Sequence, residues 1–500
     1  MMALAATQPR AQALTALLAG LDTSQIPEVV VSGVALDSRC VEPGDLFLAC
    51  PGYQQHGLDH VQQAISAGAV AVAWDAASAP QLSVPGVRVS NLSGHAGIIA
   101  ARVWQQPSQA LFVTGITGTD GKTSCAHLLA QALDGVGLFC GYMGTLGYGF
   151  VDDWHAASHT TPDAVAVHGW LARLRANGAA AAAMEVSSHA LAQDRVQAVA
   201  FDVAVLTNIG RDHLDYHGDM VHYAAAKRRL FDMPGLQWAV INGDDEYGRR
   251  WLADLPADVR PVAYGFGTQI AAAAPDYVAI RDVQAHPRGL TLAIDSSWGT
   301  VEFDSVLVGR FNAANLAAVL AVLLIRGIPP QQATQILIDL HTVPGRMERV
   351  PTRPGQPLVV VDYAHTPNAL EQALQAVRAH TSGRVHCVFG CGGDRDRGKR
   401  PLMGTIAARH ADNLWLTDDN PRHEPPQAIV ADIVAGIDAD QADYRVEHDR
   451  SRAIAAAINA ARAGDSVLIA GKGHETEQQI GAQYRPHDDR VVARQVLEAA

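Results

Sequence analysis

Val113-Thr114-Gly115-Ile116-Thr117-Gly118-Thr119-Asp120-Gly121-Lys122-Thr123-Ser124 runs out of an apolar stretch, through a glycine-rich loop and into a segment of helical character from Ser124. Strand, glycine loop and helix in that order make a cradle for phosphate. Gly118 and Gly121 let backbone N–H groups turn toward phosphate oxygens, and the following helix presents its positive end. Lys122 would neutralise phosphate charge and Thr123 would hold Mg2+. Gly118, Thr119, Asp120, Gly121, Lys122, Thr123 and Ser124 are therefore the candidate nucleotide-binding residues. Counted from Gly115, five residues rather than four precede Gly121, so the reading leans on context as well as spacing. A plain structural turn before a helix is the alternative.

Working outward, apolar runs alternate with helix-like stretches on both sides of this loop. Leu111 to Ile116, Ala181 to Val186, Phe201 to Thr207 and Trp238 to Asn242 read as buried parallel strands with helical crossovers. The same alternation resumes at Leu358 to Val361, Val385 to Phe389, Asn413 to Thr417 and Ser466 to Ala470. Shorter runs, Val29 to Val31 and Val70 to Trp74, mark a smaller unit ahead of the polar Gln105-Gln106-Pro107-Ser108 linker. The expected fold is α/β in three domains. These are a small N-terminal α/β domain (1–106), a central P-loop-type, ATP-binding doubly wound sheet (107–341) and a C-terminal Rossmann-like α/β domain (342–500).

At 500 residues the chain is too long for one core. Its net charge of −13 argues against nucleic acid or an anionic membrane as the main partner. The six cysteines are scattered, which suits reduced thiols, and Cys387, Cys391 and His386 lack the second ligand pair that zinc needs. Ala11 to Leu21 is apolar but broken by Gln12 and Thr15, so an amphipathic first helix is expected rather than a leader. No run approaches a membrane span. A soluble, cytoplasmic monomer is the expectation.

Chemistry concentrates at strand ends. Glu185 closes a strand in the domain of the phosphate loop and is a natural Mg2+ ligand. The next strand runs into Asn208-Ile209-Gly210-Arg211-Asp212-His213-Leu214-Asp215, and Lys227 follows on a helix from Tyr223 to Phe231. Solvated loops and a surface lysine are the bland readings of these taken singly. In the last third, Arg395 and Arg422 stand on two post-strand loops and suit a carboxylate, while Glu475 of Gly471-Lys472-Gly473-His474-Glu475 suits an ammonium group. Together they suggest a zwitterionic, amino-acid-like ligand.

These motifs, in this order, resemble the Mur ligase family of peptidoglycan precursor synthesis over nearly the whole chain. The resemblance is also carried by Leu36-Asp37-Ser38-Arg39, Thr160-Thr161-Pro162, Gly309 to Asn315, Gly345-Arg346-Met347-Glu348 and Asp362 to Pro367. It implies an ATP-dependent ligase acting through an acyl phosphate, with UDP-N-acetylmuramoyl-L-alanyl-D-glutamate and meso-2,6-diaminopimelate as partners. On that basis Leu36, Ser38, Tyr53, Gln54 and Gln55 would meet the uridine diphosphate, and Thr160, Thr161, Ser187, Gln193 and Arg195 the muramoyl dipeptide. Asn312, Arg346 and Asp362 would help seat ATP. Lys227 matches the family's carbamylated lysine, so Thr123, Glu185, His213 and Lys227 form the implied Mg2+ set, with Lys122, Lys227, His213 and Glu185 the catalytic group. Arg395, Asp419, Asn420, Pro421, Arg422, Gly471 and Glu475 would recognise diaminopimelate, and the Asp-Asn-Pro-Arg form differs from lysine-adding relatives. Asp120 and Ser124 depart from the family's common Gly-Thr-Asn-Gly-Lys-Thr-Thr. A lysine-adding or folylpolyglutamate-type ligase, or a non-catalytic nucleotide switch, are the rival readings.

Overall fold

In the computed structural model the described residues are 9–52, 55–78, 80–151, 153–157, 159–438 and 443–499. Tyr53 and Gln54 lie outside them. Contacts divide the chain into two compact units, one of Met1–Gly265, Gln269–Val278 and Ala321–Arg326, the other of Phe266–Thr268, Ala279–Leu320 and Gly327–Ala500. The first unit holds both the N-terminal and most of the central expected domain.

The N-terminal part of the first unit is a four-stranded parallel sheet, Gly33–Ala35, Asp45–Ala49, Ala71–Trp74 and Gly86–Arg88 in order. Leu14, Leu46, Leu48, Val87 and Ile99 fill one of its cores. The expected first helix is a correction. Only Leu14–Leu17 is helical, because Gln12–Ala13 pairs antiparallel with Val30–Val31 and Gly20 turns the chain at φ 74°. Gln12 is the hydrophilic interruption that made the segment look amphipathic. Its side-chain amide instead donates to the carbonyls of Arg102 and Val103.

The strand of the phosphate loop, Phe112–Thr117, lies between Ala181–Glu185 and Val203–Leu206, parallel to both. Trp238–Asn242 and Arg260–Phe266 extend the sheet on one side, and Cys140–Gly144, Gly147–Phe150 and Asp153–His155 on the other. Parallel strands covered on both faces read as unbroken apolar runs, and Val113, Ala182, Val203, Ala204 and Val240 are all fully buried. Registry decides where the chemistry sits: Ile116 is opposite both Glu185 and Val205. The loop after Thr117 therefore emerges between the loops that follow its two neighbours.

The second unit carries a six-stranded sheet ordered Glu348–Val350, Leu358–Asp362, Ser466–Ala470, Val385–Phe389, Asn413–Leu416 and Asp443–Val446. All but the first edge strand are parallel. Arg450 and Asp489 form a fully buried ion pair here, Nε to Oδ1 at 2.8 Å and Nη2 to Oδ2 at 2.7 Å, and Arg450 Nη2 also donates to the Ala470 carbonyl at 2.9 Å. Burial alone would push the Asp489 carboxyl up, but Arg450 and His487 outweigh it and hold it well below the usual range. Its contribution to stability is thus full above pH about 4 and fades as pH falls through the lower folded value. Arg450→Met should cost about 3–5 kcal/mol in urea unfolding, because it strands a buried carboxylate. Among the described residues no helix is long and apolar enough to cross a membrane.

Candidate functional site

The phosphate loop is built so that only glycine fits at its bend. Gly118 has φ 151°, and a Cβ there would stand 1.8 Å from Thr207 Oγ1. Gly121, at φ 81°, caps the helix Lys122–Gly135. Helix thus begins at Lys122 rather than at Ser124, which places Lys122, Thr123 and Ser124 in the first turn, where N–H groups are free for an anion. Asp120 is fixed by its backbone: its N–H donates to Asn208 Oδ1 at 3.0 Å and its carbonyl accepts from Thr207 Oγ1 at 2.6 Å. The Asp120 side chain faces solvent. Lys122 Nζ folds onto the carbonyls of Gly118 and Thr119 at 2.9 and 2.8 Å.

Glu185 is fully buried, and its carboxylate is held by polar partners. It accepts from Tyr142 OH at 2.6 Å, Thr145 N at 2.8 Å and Thr123 Oγ1 at 2.9 Å. Thr123 and Glu185 therefore bring two hard oxygen ligands together at the loop. From Glu185 a chain of bonds reaches the expected dipeptide residues. Its carbonyl accepts from Thr161 Oγ1 at 2.8 Å, and Thr161 Oγ1 in turn accepts from Ser187 N at 3.1 Å. Arg195 grips the Thr161 carbonyl at 2.9 Å and the Gln193 amide oxygen at 2.6 Å, while Thr160 Oγ1 meets Thr145 Oγ1 at 3.0 Å. Thr160, Thr161, Ser187, Gln193 and Arg195 are thus one cluster beside the metal-suited pair.

Lys227 lies on the helix Met220–Arg228, begun by the Asp219 cap. It is 1% exposed and its Nζ donates to Gly118 O at 2.7 Å. Burial, then the charge of Lys122, pulls its amine down to about 6. Tyr223 joins the pieces: its ring centroid is 4.7 Å from Lys227 Nζ and 6.5 Å from that of His213, and its hydroxyl meets Thr119 Oγ1 at 3.0 Å. His213 itself, at φ 51°, pairs with Asp212 at 3.3 Å and packs on His189. Among the described residues no three His, Cys, Asp or Glu side chains form a ready metal cluster. The four implied ligands share a rim rather than a closed shell.

Elsewhere in the first unit Ser38 is buried and bonds Gln63 at 2.9 Å, and Gln55 Oε1 accepts from His60 Nε2 at 2.9 Å. Leu36 lines a cavity of about 480 Å3 with Asp37, Trp104, Asp163 and Trp170.

In the second unit, Asp362 ends its strand and accepts from the N–H groups of Met347 and Ala364 at 2.7 and 2.8 Å, with burial pushing its carboxyl up. Arg346 stacks over Tyr363 at 5.0 Å. Gly345 abuts the Gly473 backbone so closely that a Cβ would stand 2.1 Å from it. The Arg346–Asp362 pair therefore borders the Gly471–Glu475 loop. Asn312 bonds the Val308 carbonyl at 2.9 Å and Asn315 at 3.0 Å.

The remaining loops converge. Arg422 Nη1 and Arg395 Cγ stand 2.8 and 3.6 Å from where a Cβ on Gly392 would be, so the two arginines flank one glycine. Arg422, at φ 52°, is held there by backbone bonds to Gln479 and Gly481. Arg400, which the sequence did not single out, is fully buried and ties the two arginine loops together. It bonds Glu424 Oε1 at 2.9 Å, and Glu424 also accepts from Asp394 N at 2.6 Å. Asp419 is buried against Gly471, where a Cβ would meet its Oδ2 at 2.5 Å, and Asn420 Nδ2 donates to Glu475 Oε2 at 2.8 Å. Pro421 supplies the carbonyl against which Gly393 packs, 1.9 Å from a Cβ there.

Three family models match: the Mur ligase family catalytic domain at residues 30–104, the Mur ligase middle domain at 116–323, and the Mur ligase glutamate ligase domain at 345–473. The chain belongs to the Mur ligase family. A curated relative from Alkalilimnicola ehrlichii, named UDP-N-acetylmuramoyl-L-alanyl-D-glutamate–2,6-diaminopimelate ligase, is 49% identical over 97% of this chain and 98% of its own. One of the same name from Coxiella burnetii is 46% identical over 97% and 99%. A solved structure of that name superposes with TM-score 0.77 at 35% identity, covering 98% of this chain and 99% of the other.

As a Mur ligase this chain shows residues that pattern reading passed over. Tyr142 and Thr145 hold Glu185 from 43 and 40 positions away, a separation that leaves no local signal. Lys472 lies inside the Gly471–Glu475 loop with no pattern to mark it, yet it is fully buried.

Proposed function

We propose that this Mur ligase joins meso-2,6-diaminopimelate to the D-glutamyl γ-carboxylate of UDP-N-acetylmuramoyl-L-alanyl-D-glutamate, using ATP and Mg2+. The observation that carries the amino-acid half is the convergence of Arg395, Arg422, Asn420 and Glu475. It offers two guanidinium groups for a carboxylate and a carboxylate for an ammonium group, as a zwitterion with a second charged end demands. Near-full-length identity to ligases of that name supports the rest.

Catalysis is mainly positioning and charge neutralisation. The γ-carboxylate oxygen bonds to the γ-phosphorus of ATP and the bond to ADP breaks, giving an acyl phosphate. The amine then bonds to the acyl carbon, phosphate leaves, and the nitrogen gives up a proton. Backbone N–H groups of Gly118 to Ser124 hold phosphate oxygens, and Lys122 offsets their charge. Arg195, Gln193, Thr160, Thr161 and Ser187 orient the dipeptide beside Glu185. Leu36, Ser38 and Gln55 take the uridine end, and Asn312, Arg346 and Asp362 the adenosine end.

Thr123 and Glu185 fit a divalent cation, His213 offers a ring nitrogen, and Lys227 would fit as its carbamate, since an ammonium group repels metal. Mg2+ held there would neutralise charge building on the transferring phosphoryl group. Use of ATP and a nucleotide-linked substrate supports a cytoplasmic reaction.

The test is phosphate release with product mass analysis, supplying ATP, Mg2+ and the UDP-dipeptide with either meso-diaminopimelate or L-lysine. A tripeptide product with diaminopimelate alone is expected. Product with lysine would keep the ligase and discard the specificity, and no product with either would discard both.

A further inference from the structure

Lys472 has no role in the reaction as described, yet it is a lysine with no exposed side-chain surface in the middle of the amino-acid loops. Its Nζ donates to Glu475 Oε2 at 2.9 Å and to Asn420 Oδ1 at 3.1 Å. Asn420 Oδ1 also accepts from Gln479 N at 2.9 Å. With donors on both sides, that atom must be the amide oxygen, so the Asn420 NH2 is forced toward Glu475, where it bonds Oε2 at 2.8 Å. Both bonds to Glu475 thus land on the same oxygen, Oε2, while a third of the side chain stays exposed.

We propose that Lys472 is a positioning residue for the amino-acid substrate: it locks the Asn420 amide and the Glu475 carboxylate in the one arrangement that presents an amide N–H and an unshared carboxylate oxygen side by side. The inference rests on the reading of these loops as the diaminopimelate site. Lys472 acts from behind the site, since it has no surface of its own to offer. A buried ammonium group is costly to place, and here the Asn420 amide oxygen and the Glu475 carboxylate accept from it. Burial would push the Glu475 carboxyl up, but Lys472 and Asn420 more than offset it and keep it below the usual range. Glu475 therefore stays anionic for an incoming ammonium group. Without Lys472, the Asn420 amide oxygen keeps only the Gln479 N–H, and Glu475 Oε2 loses both the bond and the charge that hold it in place.

Lys472→Met keeps the length and most of the volume of the side chain while removing its charge and donors. The KM for meso-diaminopimelate should rise about tenfold or more, the scale of one or two lost hydrogen bonds to charged groups. The KM values for ATP and the UDP-dipeptide should stay within about twofold, and kcat at saturating diaminopimelate should change little. Lys472→Met combined with Asn420→Ala should cost less than the sum of the two single losses, because the lysine acts partly through that amide and partly through its own bond to Glu475. A purely structural lysine would instead lower kcat with every KM unmoved, or add its loss to that of Asn420→Ala, and either result overturns the proposal. Should Lys472→Met fail to fold, Lys472→Gln, which keeps one donor, should still raise the diaminopimelate KM selectively, and an unchanged KM there also overturns it. Turnover of the unaltered enzyme with meso-diaminopimelate is measured alongside, so failure of the substrate reading shows itself separately.

Discussion

Lys227→Ala should abolish ligation, by about 10^3-fold or more in kcat, and acetate or another short-chain acid should restore part of it. The expected size is that of losing a group that places charge at a phosphoryl-transfer centre. A buried lysine 2.7 Å from the phosphate-loop carbonyl of Gly118 is in the right place for that, but as an ammonium ion it has the wrong sign. Its amine resolves the contradiction: held down to about 6 by burial and by Lys122, it is neutral at pH 7 and able to attack CO2. On the proposed reading the N–C bond would form, a proton would leave, and the neutral amine would become a carboxylate-like ligand. Carbamate labelled from 13C-bicarbonate should therefore be present at neutral pH and diminish as pH falls through about 6, the direction set by protonation of the amine. Full activity of the plain alanine variant would remove Lys227 from the site. Loss without rescue, and with no labelled carbamate in the unaltered protein, would leave it as packing.

The parallel core was open to sequence reading because burial on both faces erases alternation. Trp238–Asn242, Val385–Phe389 and Ser466–Ala470 fall where their unbroken apolar runs put them. The antiparallel hairpin of Gly289–Ser296 with Gly299–Ser305 did not stand out, since its outward residues are polar and its apolar positions come singly. In the sites the same divide holds. Loops rich in glycine and charge advertised Gly118 to Ser124 and Asp419 to Arg422, while the partners that fix them did not. Tyr142, Arg400 and Lys472 reach their acceptors from 43, 24 and 52 positions away, and nothing in a local pattern records such a meeting. Even the first helix was misjudged for this reason, as the amide of Gln12 is accounted for only by carbonyls 90 and 91 residues on.

Lys122→Ala should weaken productive ATP use by about 10^2–10^3-fold in kcat/KM, the scale of one lost charge-stabilising donor. The loop it leaves behind would be net acidic: Glu185, Asp120 and Asp212 all act on Lys122, each favouring its charged form against burial. Phosphate would then face carboxylates with no cation of the protein's own between them. Arginine is not a safe replacement, because Lys122 Nζ sits as a point charge between the Gly118 and Thr119 carbonyls where a planar guanidinium has no room to match it. A second effect follows from the neighbouring lysine. The charge of Lys122 is part of what holds the Lys227 amine down, so its removal should let that amine rise and stay protonated to higher pH. The same loss takes away a counter-charge for the carbamate. Lys122→Ala should accordingly show a weaker 13C-carbamate signal at pH 7 than the unaltered protein, alongside weaker ATP binding by calorimetry. Undiminished ATP binding would place the phosphates elsewhere, and an undiminished carbamate would show that burial alone sets the chemistry of Lys227.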